Sequence, residues 1–315
     1  MRTRTSTGAT RRRPKSTSGW LLSRPARVAM WAGLGAGLAF YVAFGIVPTL
    51  ANVAISFTDY SGLPGSPTSW TGLQNYSTLF VAQRPGFISS LYETLYFVVG
   101  VTVVQNTLAL LLAHRLQHTG RTEALVRILA FIPIVLGVTV VGIIWLLLFQ
   151  PDSSPAASLF GGIGVQSAFF GSGNLAMPLV ITVQVWQNLG FSMLVFIGGL
   201  KTIPTDIYEA ANIDGITPWG RFRRMTWPLL APVVTVNVLL AVIGALTTYN
   251  LIYVLTDGDN GTNTLGIFAF NTAFNSATQD LGLGAAVSSV LLVVAVLVAV
   301  PLVALLKWRE RRVLA

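Results

Sequence analysis

Few side chains in this 315-residue sequence can do chemistry, and the missing ones narrow the field as much as those present. There is no cysteine, which removes disulfides, thiolate nucleophiles and thiolate-ligated zinc together. The two histidines, His114 and His118, stand four apart beside Arg115, a spacing that can hold a metal ion. No carboxylate or third ligand lies nearby in the sequence. The pair therefore reads as interfacial polar residues, and no metal site is expected. Nothing pairs a nucleophile with a base or one carboxylate with another, so catalysis is not expected. Uncharged polar side chains set among apolar ones remain: Gln184, Gln187 and Asn188 beside Trp186; Asn237, Thr247, Thr248, Tyr249 and Asn250; Ser288 and Ser289. Amides and hydroxyls suit the hydroxyls of a neutral sugar, and aromatic rings suit its apolar faces. The same groups serve equally well as hydrogen bonds between helices.

The elements that must position these residues are apolar. The chain is 53% hydrophobic and 10% charged, against about 25% charged in a soluble protein. Six apolar stretches run approximately over Val28–Ile55, Leu91–Ala113, Ile128–Phe149, Ala176–Leu200, Leu229–Leu255 and Gly284–Leu306. Each is long enough for a helix to cross about 30 Å of hydrocarbon, which takes roughly 20 residues. None has a charge near its middle, where one costs about 3 kcal/mol. Pro48, Pro133, Pro178 and Pro301 fall within or at the ends of these stretches and mark kinks. The expected organisation is a basic tail over 1–27, a six-helix membrane domain over 28–306 and a second tail over 307–315. The apolar stretch after Arg11-Arg12-Arg13 is too long for a signal-peptide core, so it reads as a retained first helix. Nineteen of the 20 lysines and arginines lie in the two tails and in the loops after the second and fourth stretches; only Arg84 lies elsewhere. The positive-inside rule then puts both termini in the cytoplasm. It also explains the net charge of +9 without nucleic acid, since basic helix ends meet anionic lipid headgroups.

One polar segment, 201–228, stands out between the fourth and fifth stretches. Thr205 can cap a helix there, with Asp206 and Glu209 at its positive end. Ile207, Ala210, Ala211 and Asp214 share a face by three-and-four spacing. Gly215 is placed to stop the helix in a left-handed conformation. Thr217 then caps a second helix with Pro218 at its first position. Trp219, Phe222 and Met225 share a face, and Arg221, Arg223 and Arg224 project elsewhere. The small Ala-Ala surface permits close approach by another protein. A DNA-reading role is excluded because both ends are tethered to the bilayer.

Glu209-Ala210-Ala211, Asp214-Gly215, Phe222, Pro228 and Pro232 resemble the EAA signature of ABC-importer permeases. The lead-in Gly199-Leu200-Lys201-Thr202-Ile203-Pro204 resembles that of the carbohydrate, maltose-type branch, with Lys201 in place of Gln. Gly72-Leu73-Gln74-Asn75-Tyr76, Trp186 with Gly190-Phe191, and Tyr249 through Asp257-Gly258 to Gly282 extend the likeness over most of the chain. Ile216, Trp227 and Asp257-Gly258-Asp259-Asn260 depart from it. The resemblance implies an all-α, type I importer permease fold in a bacterial plasma membrane. It makes Glu209, Ala210, Ala211, Asp214, Gly215 and Phe222 a coupling helix seated in a separate ATPase subunit. The implied partners are a second permease subunit, a dimer of that ATPase, an extracellular solute-binding protein and a sugar. ATP and Mg would be used by the ATPase and no cofactor bound by this chain, which has no Gly-Lys dipeptide and so no usual P-loop. The midmembrane sugar contacts would fall to Trp186, Gln187, Asn188, Thr247, Tyr249 and Asn250. An importer of another solute, such as a phosphodiester or a polyamine, is the nearest alternative. An ion-coupled secondary transporter is less well served, because it wants intramembrane carboxylates and only Glu93 approaches that position.

Overall fold

The computed structural model describes residues 24–63, 65–117, 120–151, 153–162, 167–275 and 279–314. Most of the expected basic tail, and His118, lie outside the described residues. Among the described residues the chain is helical, with one isolated antiparallel bridge between Thr58 and Trp70. The helices are α1 (Arg24–Tyr41), α2 (Val47–Ile55), α3 (Gln74–Ser77), α4 (Arg84–Leu116), α5 (Arg121–Val135), α6 (Val138–Leu148), α7 (Pro155–Gly161), α8 (Ala176–Lys201), α9 (Thr205–Ile213), α10 (Pro218–Arg221), α11 (Trp227–Leu229), α12 (Ala231–Thr247), α13 (Asn250–Thr256), α14 (Leu265–Phe270) and α15 (Leu281–Leu314).

The chain divides into two compact units, Met1–Ala51 and Asn52–Ala315. In the first, α1 passes through a π-helical turn into α2. Its side chains are exposed nearly throughout, with Trp31 at 67% and Phe44 at 76%. A helix apolar on every side suits hydrocarbon rather than water.

The second unit is built around α8. Phe97 and Val101 of α4, Val180 and Val183 of α8, and Val242 and Leu246 of α12 form one buried cluster with Leu251 and Ile252 of α13. A second cluster joins Ala109 and Ala113 of α4 to Met193, Phe196 and Leu200 of α8 and to Leu230 and Val234. Lipid tails are as apolar as leucine, so helices associate in a bilayer through close packing, and small residues permit it. At Gly190 the approach is closest: an added Cβ would overlap the Ala130 carbonyl and lie 2.7 Å from the Phe131 Cα of α5.

Four helical spans are long and apolar enough to cross a membrane: Met30–Ile55, Arg84–Leu116, Ala176–Lys201 and Leu281–Arg309. The remaining two expected spans are bent pairs, giving six when each pair counts as one. The third stretch breaks into α5 and α6, bent by 104°. Leu136 and Gly137 there turn extended, with ψ of 137° and 140°. Upstream, Pro133 has no N–H to continue the ladder. The fifth stretch is bent by 69° where α11 meets α12, because Pro232 cannot donate across the joint. It is then interrupted again at Thr248, whose extended backbone separates α12 from α13. Continuous helices were expected over Ile128–Phe149 and Leu229–Leu255, and the structure corrects both. By contrast α15 runs unbroken through Pro301 to Leu314, past the expected end at Leu306.

The end of the bundle near α3 is clasped by side chains. The amide of Asn75 donates to the carbonyls of Ser56 (2.9 Å) and Thr58 (2.8 Å), and Tyr76 shares a hydrogen bond with Ser56. The Ser69 hydroxyl and backbone N–H both donate to Asp59, which holds its carboxyl below the usual carboxylate range.

Gly190→Val would force α5 away from α8. Overpacking of this kind costs about 1–3 kcal/mol, so a lower melting temperature is expected in detergent, whereas Gly198→Ala, which meets nothing within 4 Å, should leave it unchanged.

Candidate functional site

The polar segment folds as a helix, a tight turn and a second helix. α9 opens with Pro204 as its flanking residue (ψ 138°) and Thr205 already helical, and no side chain caps it. This corrects the expected Thr205 cap: proline's ring presets the entry angle and brings no N–H that needs a partner. The other end follows the expected chemistry. Gly215 sits at φ +66°, its N–H donates to the Asn212 carbonyl (3.1 Å), and the Ile216 N–H donates to the Ala211 carbonyl (3.0 Å). These are the paired bonds of a Schellman stop. The Thr217 hydroxyl then accepts from the Gly220 N–H at 3.2 Å and caps α10, with Pro218 first in the helix.

Two cross-braces lock the arms together. The Tyr208 hydroxyl meets that of Thr226 at 3.1 Å, and the Arg221 Nη1 donates to the Asn212 Oδ1 at 2.6 Å. Ala211 is fully buried with Ile207 and Tyr208 half-buried, while Ala210 and Asp214 are exposed beside Glu209. Ile213 is 87% and Trp219 70% exposed. Phe222 is the hub of an aromatic row, with ring centroids 5.7 Å from Trp219, 6.3 Å from Trp227 and 5.9 Å from His114. Basic helix ends gather here: Arg127 donates to the Leu116 carbonyl, and Arg309 of α15 lies 4.9 Å over the Trp227 ring, a cation–π distance.

The polar residues of the membrane helices are not all in one place. Thr247 and Tyr249 flank the break between α12 and α13 and line a cleft of about 300 Å³ with Phe270, Phe274, Ser288 and Asn52. Tyr249 stacks on Phe270 at 5.3 Å. Asn250 is exposed, and its Oδ1 accepts from the Leu251 N–H. On α8, Gln187 is buried and its Nε2 donates to the Leu136 carbonyl (3.2 Å), the group freed by the break between α5 and α6. Asn188 donates to the Gln184 carbonyl one turn back. Trp186 is 37% exposed, with its ring edge against Trp145. Gln184 spans the two regions through its bond to Thr248 (3.3 Å). The sequence reading missed a buried polar knot in which the Gln105 amide donates to the Ser192 hydroxyl (2.7 Å) and the Asn237 amide to the Ser192 carbonyl (3.2 Å). Gln105 carries no signal of its own, because an amide between valine and asparagine fits any helix face.

Among the described residues there is no group of three or more histidines or carboxylates able to hold a metal ion. Comparison with known proteins gives a family. The family described as "Binding-protein-dependent transport system inner membrane component" matches residues 105–314. The sn-glycerol-3-phosphate transport system permease protein UgpA of Agrobacterium fabrum is 31% identical over 74% of this chain and 79% of its own length. The lactose transport system permease protein LacF of Rhizobium radiobacter is 30% identical over 82% of this chain and 88% of its own. Among solved structures, a chain of a bacterial alginate ABC transporter, crystallised with an alginate pentasaccharide-bound periplasmic protein, superposes with a TM-score of 0.75. It covers 91% of this chain and 95% of that one at 18% identity, a likeness of fold. With its all-α type I importer fold and membrane-spanning helices, the chain belongs to the binding-protein-dependent inner membrane components, the permeases of ABC transporters.

Proposed function

We propose that this chain is one of two permease subunits of an ATP-driven sugar importer, and that its hairpin couples it to a separate ATPase. The hairpin carries this reading. A short helix closed by a Schellman stop, cross-braced to its neighbour and exposing Glu209, Ala210 and Asp214 is a stiff projection that a motor protein can grip. Ala210 is small enough for a close seat, and Ala211, Ile207 and Phe222 hold the projection against the bundle. Hydrolysis of ATP with Mg belongs to the partner, and an external binding protein delivers the solute. The likeness to LacF supports a saccharide cargo. The chemistry of the broken helix fits it, with Thr247, Tyr249 and Asn250 at the break, and Trp186, Gln187 and Asn188 contributing from α8. The likeness to UgpA favours a second reading, a phosphorylated solute moved by the same mechanism.

In this reading the hairpin and both termini face the cytoplasm. The chain has no cysteine, so single cysteines report without interference. Asn212→Cys should react with a membrane-impermeant maleimide only in inverted vesicles, and Gly65→Cys only in intact cells; the opposite pattern would reverse the orientation.

Valine at Gly215 would place a β-branched residue at φ +66°, a strain of about 1–2 kcal/mol, equivalent to roughly 5–30-fold in an equilibrium. Uptake by Gly215→Val should fall within that range while the chain still inserts, and Gly215→Asn, which tolerates this conformation, should retain most activity. Normal uptake by the valine variant would remove the hairpin from coupling.

Tyr249→Ala and Asn250→Ala should each raise the apparent KM for sugar uptake about fivefold, the loss of one hydrogen bond or stack. Gln187→Ala should in addition lower the melting temperature, because the Leu136 carbonyl loses its donor. Competition by sn-glycerol 3-phosphate and none by sugars would establish the second reading.

A further inference from the structure

We propose that the basic end of the bundle holds a binding site for a phosphate-bearing anion, in the cavity between the last turns of α4 and α8 and the hairpin. The cavity measures about 700 Å³ and is bounded by Arg115, Lys201 and Arg221, with His114, Thr205 and Tyr208 around them. Three basic residues line one void, and no carboxylate lines it among the described residues. Asp206, Glu209 and Asp214 belong to the same hairpin but take no part in the lining.

Among the described residues no carboxylate pairs with any of these side chains. Arg115 and Lys201 have no hydrogen-bond or ion-pair partner among the described residues, and Arg221 donates to Asn212, an uncharged amide. Arg115 and Lys201 each sit in the last turn of a helix, where a cation complements the helix dipole. That accounts for each position singly. It does not account for three basic residues lining a common space, where an anion would relieve the repulsion between like charges.

The donor set suits phosphate. Two guanidinium groups offer planar forked donors, the ammonium adds a compact charge, and the threonine and tyrosine hydroxyls add neutral donors. Thr205, the first residue of α9, also lines this cavity, and a helix start without a side-chain cap favours an anion nearby. The volume exceeds that of a phosphate and admits the ester it is attached to. Two sources share this chemistry: the headgroup of an anionic phospholipid at that end of the membrane, and a soluble phosphate ester.

The test uses the chain purified with its partner subunits in nanodiscs of phosphatidylcholine. In one arm phosphatidylglycerol is introduced and retained lipid is measured by mass spectrometry. In the other, inorganic phosphate or glycerol phosphate is titrated and the melting temperature followed. The proposal expects binding in at least one arm, weaker at high salt. It expects binding about tenfold weaker in the Arg115→Gln/Lys201→Gln variant, restored when Arg115→Lys is used with Lys201 intact. The melting temperature of the double variant without anion controls for folding. Retention of phosphatidylglycerol alone assigns the lipid, and a response to the soluble anions assigns the ester. No binding in either arm, or binding equal in wild type and double variant, overturns the site. Failure here leaves the transport reading standing, because the variants' uptake is not the readout.

Discussion

A main-chain N–H or C=O left bare in hydrocarbon costs several kcal/mol, and this chain breaks the helix within two of its apolar stretches. The structure meets it with side-chain amides and hydroxyls. Gln187 reaches the carbonyl released at Leu136, and at the second break the Thr248 hydroxyl accepts from Gln184 and donates to the Gly244 carbonyl. Elsewhere Thr94, Asn106, Thr235 and Ser289 fold back onto carbonyls one turn earlier. The polar inventory of the membrane helices therefore answers first to the backbone. Even at the second break Thr247 bonds back to the Ile243 and Gly244 carbonyls and Asn250 accepts from the Leu251 N–H, while the Tyr249 ring stacks on Phe270.

The same accounting explains why α8 is central. It contributes to both main buried clusters, holds the amide that meets the carbonyl freed at Leu136, and runs without a break from Ala176 to Lys201. The hairpin hangs from its end through three residues, Thr202 to Pro204. A stiff projection and the neighbourhood of the helix breaks are thus joined by one continuous rod. Gly190 lets α5 lie directly against that rod, and Ala109 and Ala113 line the second cluster that α4 shares with it.

Much of this was legible in the residues. Six apolar stretches, the Gly215 stop and the Thr217-Pro218 restart follow from hydropathy, left-handed glycine geometry and capping, all of which are local. The breaks were not legible. Proline is tolerated in membrane helices, so Pro133 and Pro301 look alike in sequence, yet α15 passes straight through one while the third span bends by 104° shortly after the other. The difference is a donor on another helix, Gln187, and a nonlocal partner leaves no trace in a window of neighbours. The inward face of α9 was not legible for a similar reason. Spacing alone cannot tell Ala210 from Ala211, and the choice falls to Tyr208, whose hydroxyl finds Thr226 across the turn.

Arg309, lying over Trp227, has a bearing on how the molecule matures. A ribosome delivers α15 only after everything from the hairpin through α14 has emerged. The projection therefore emerges before the α15 residue that lies over its base. Until then Phe222 against His114, Tyr208 against Thr226 and Ile207 in the second buried cluster hold that base. Arg309 can close over Trp227 only once α15 has come back to the hairpin.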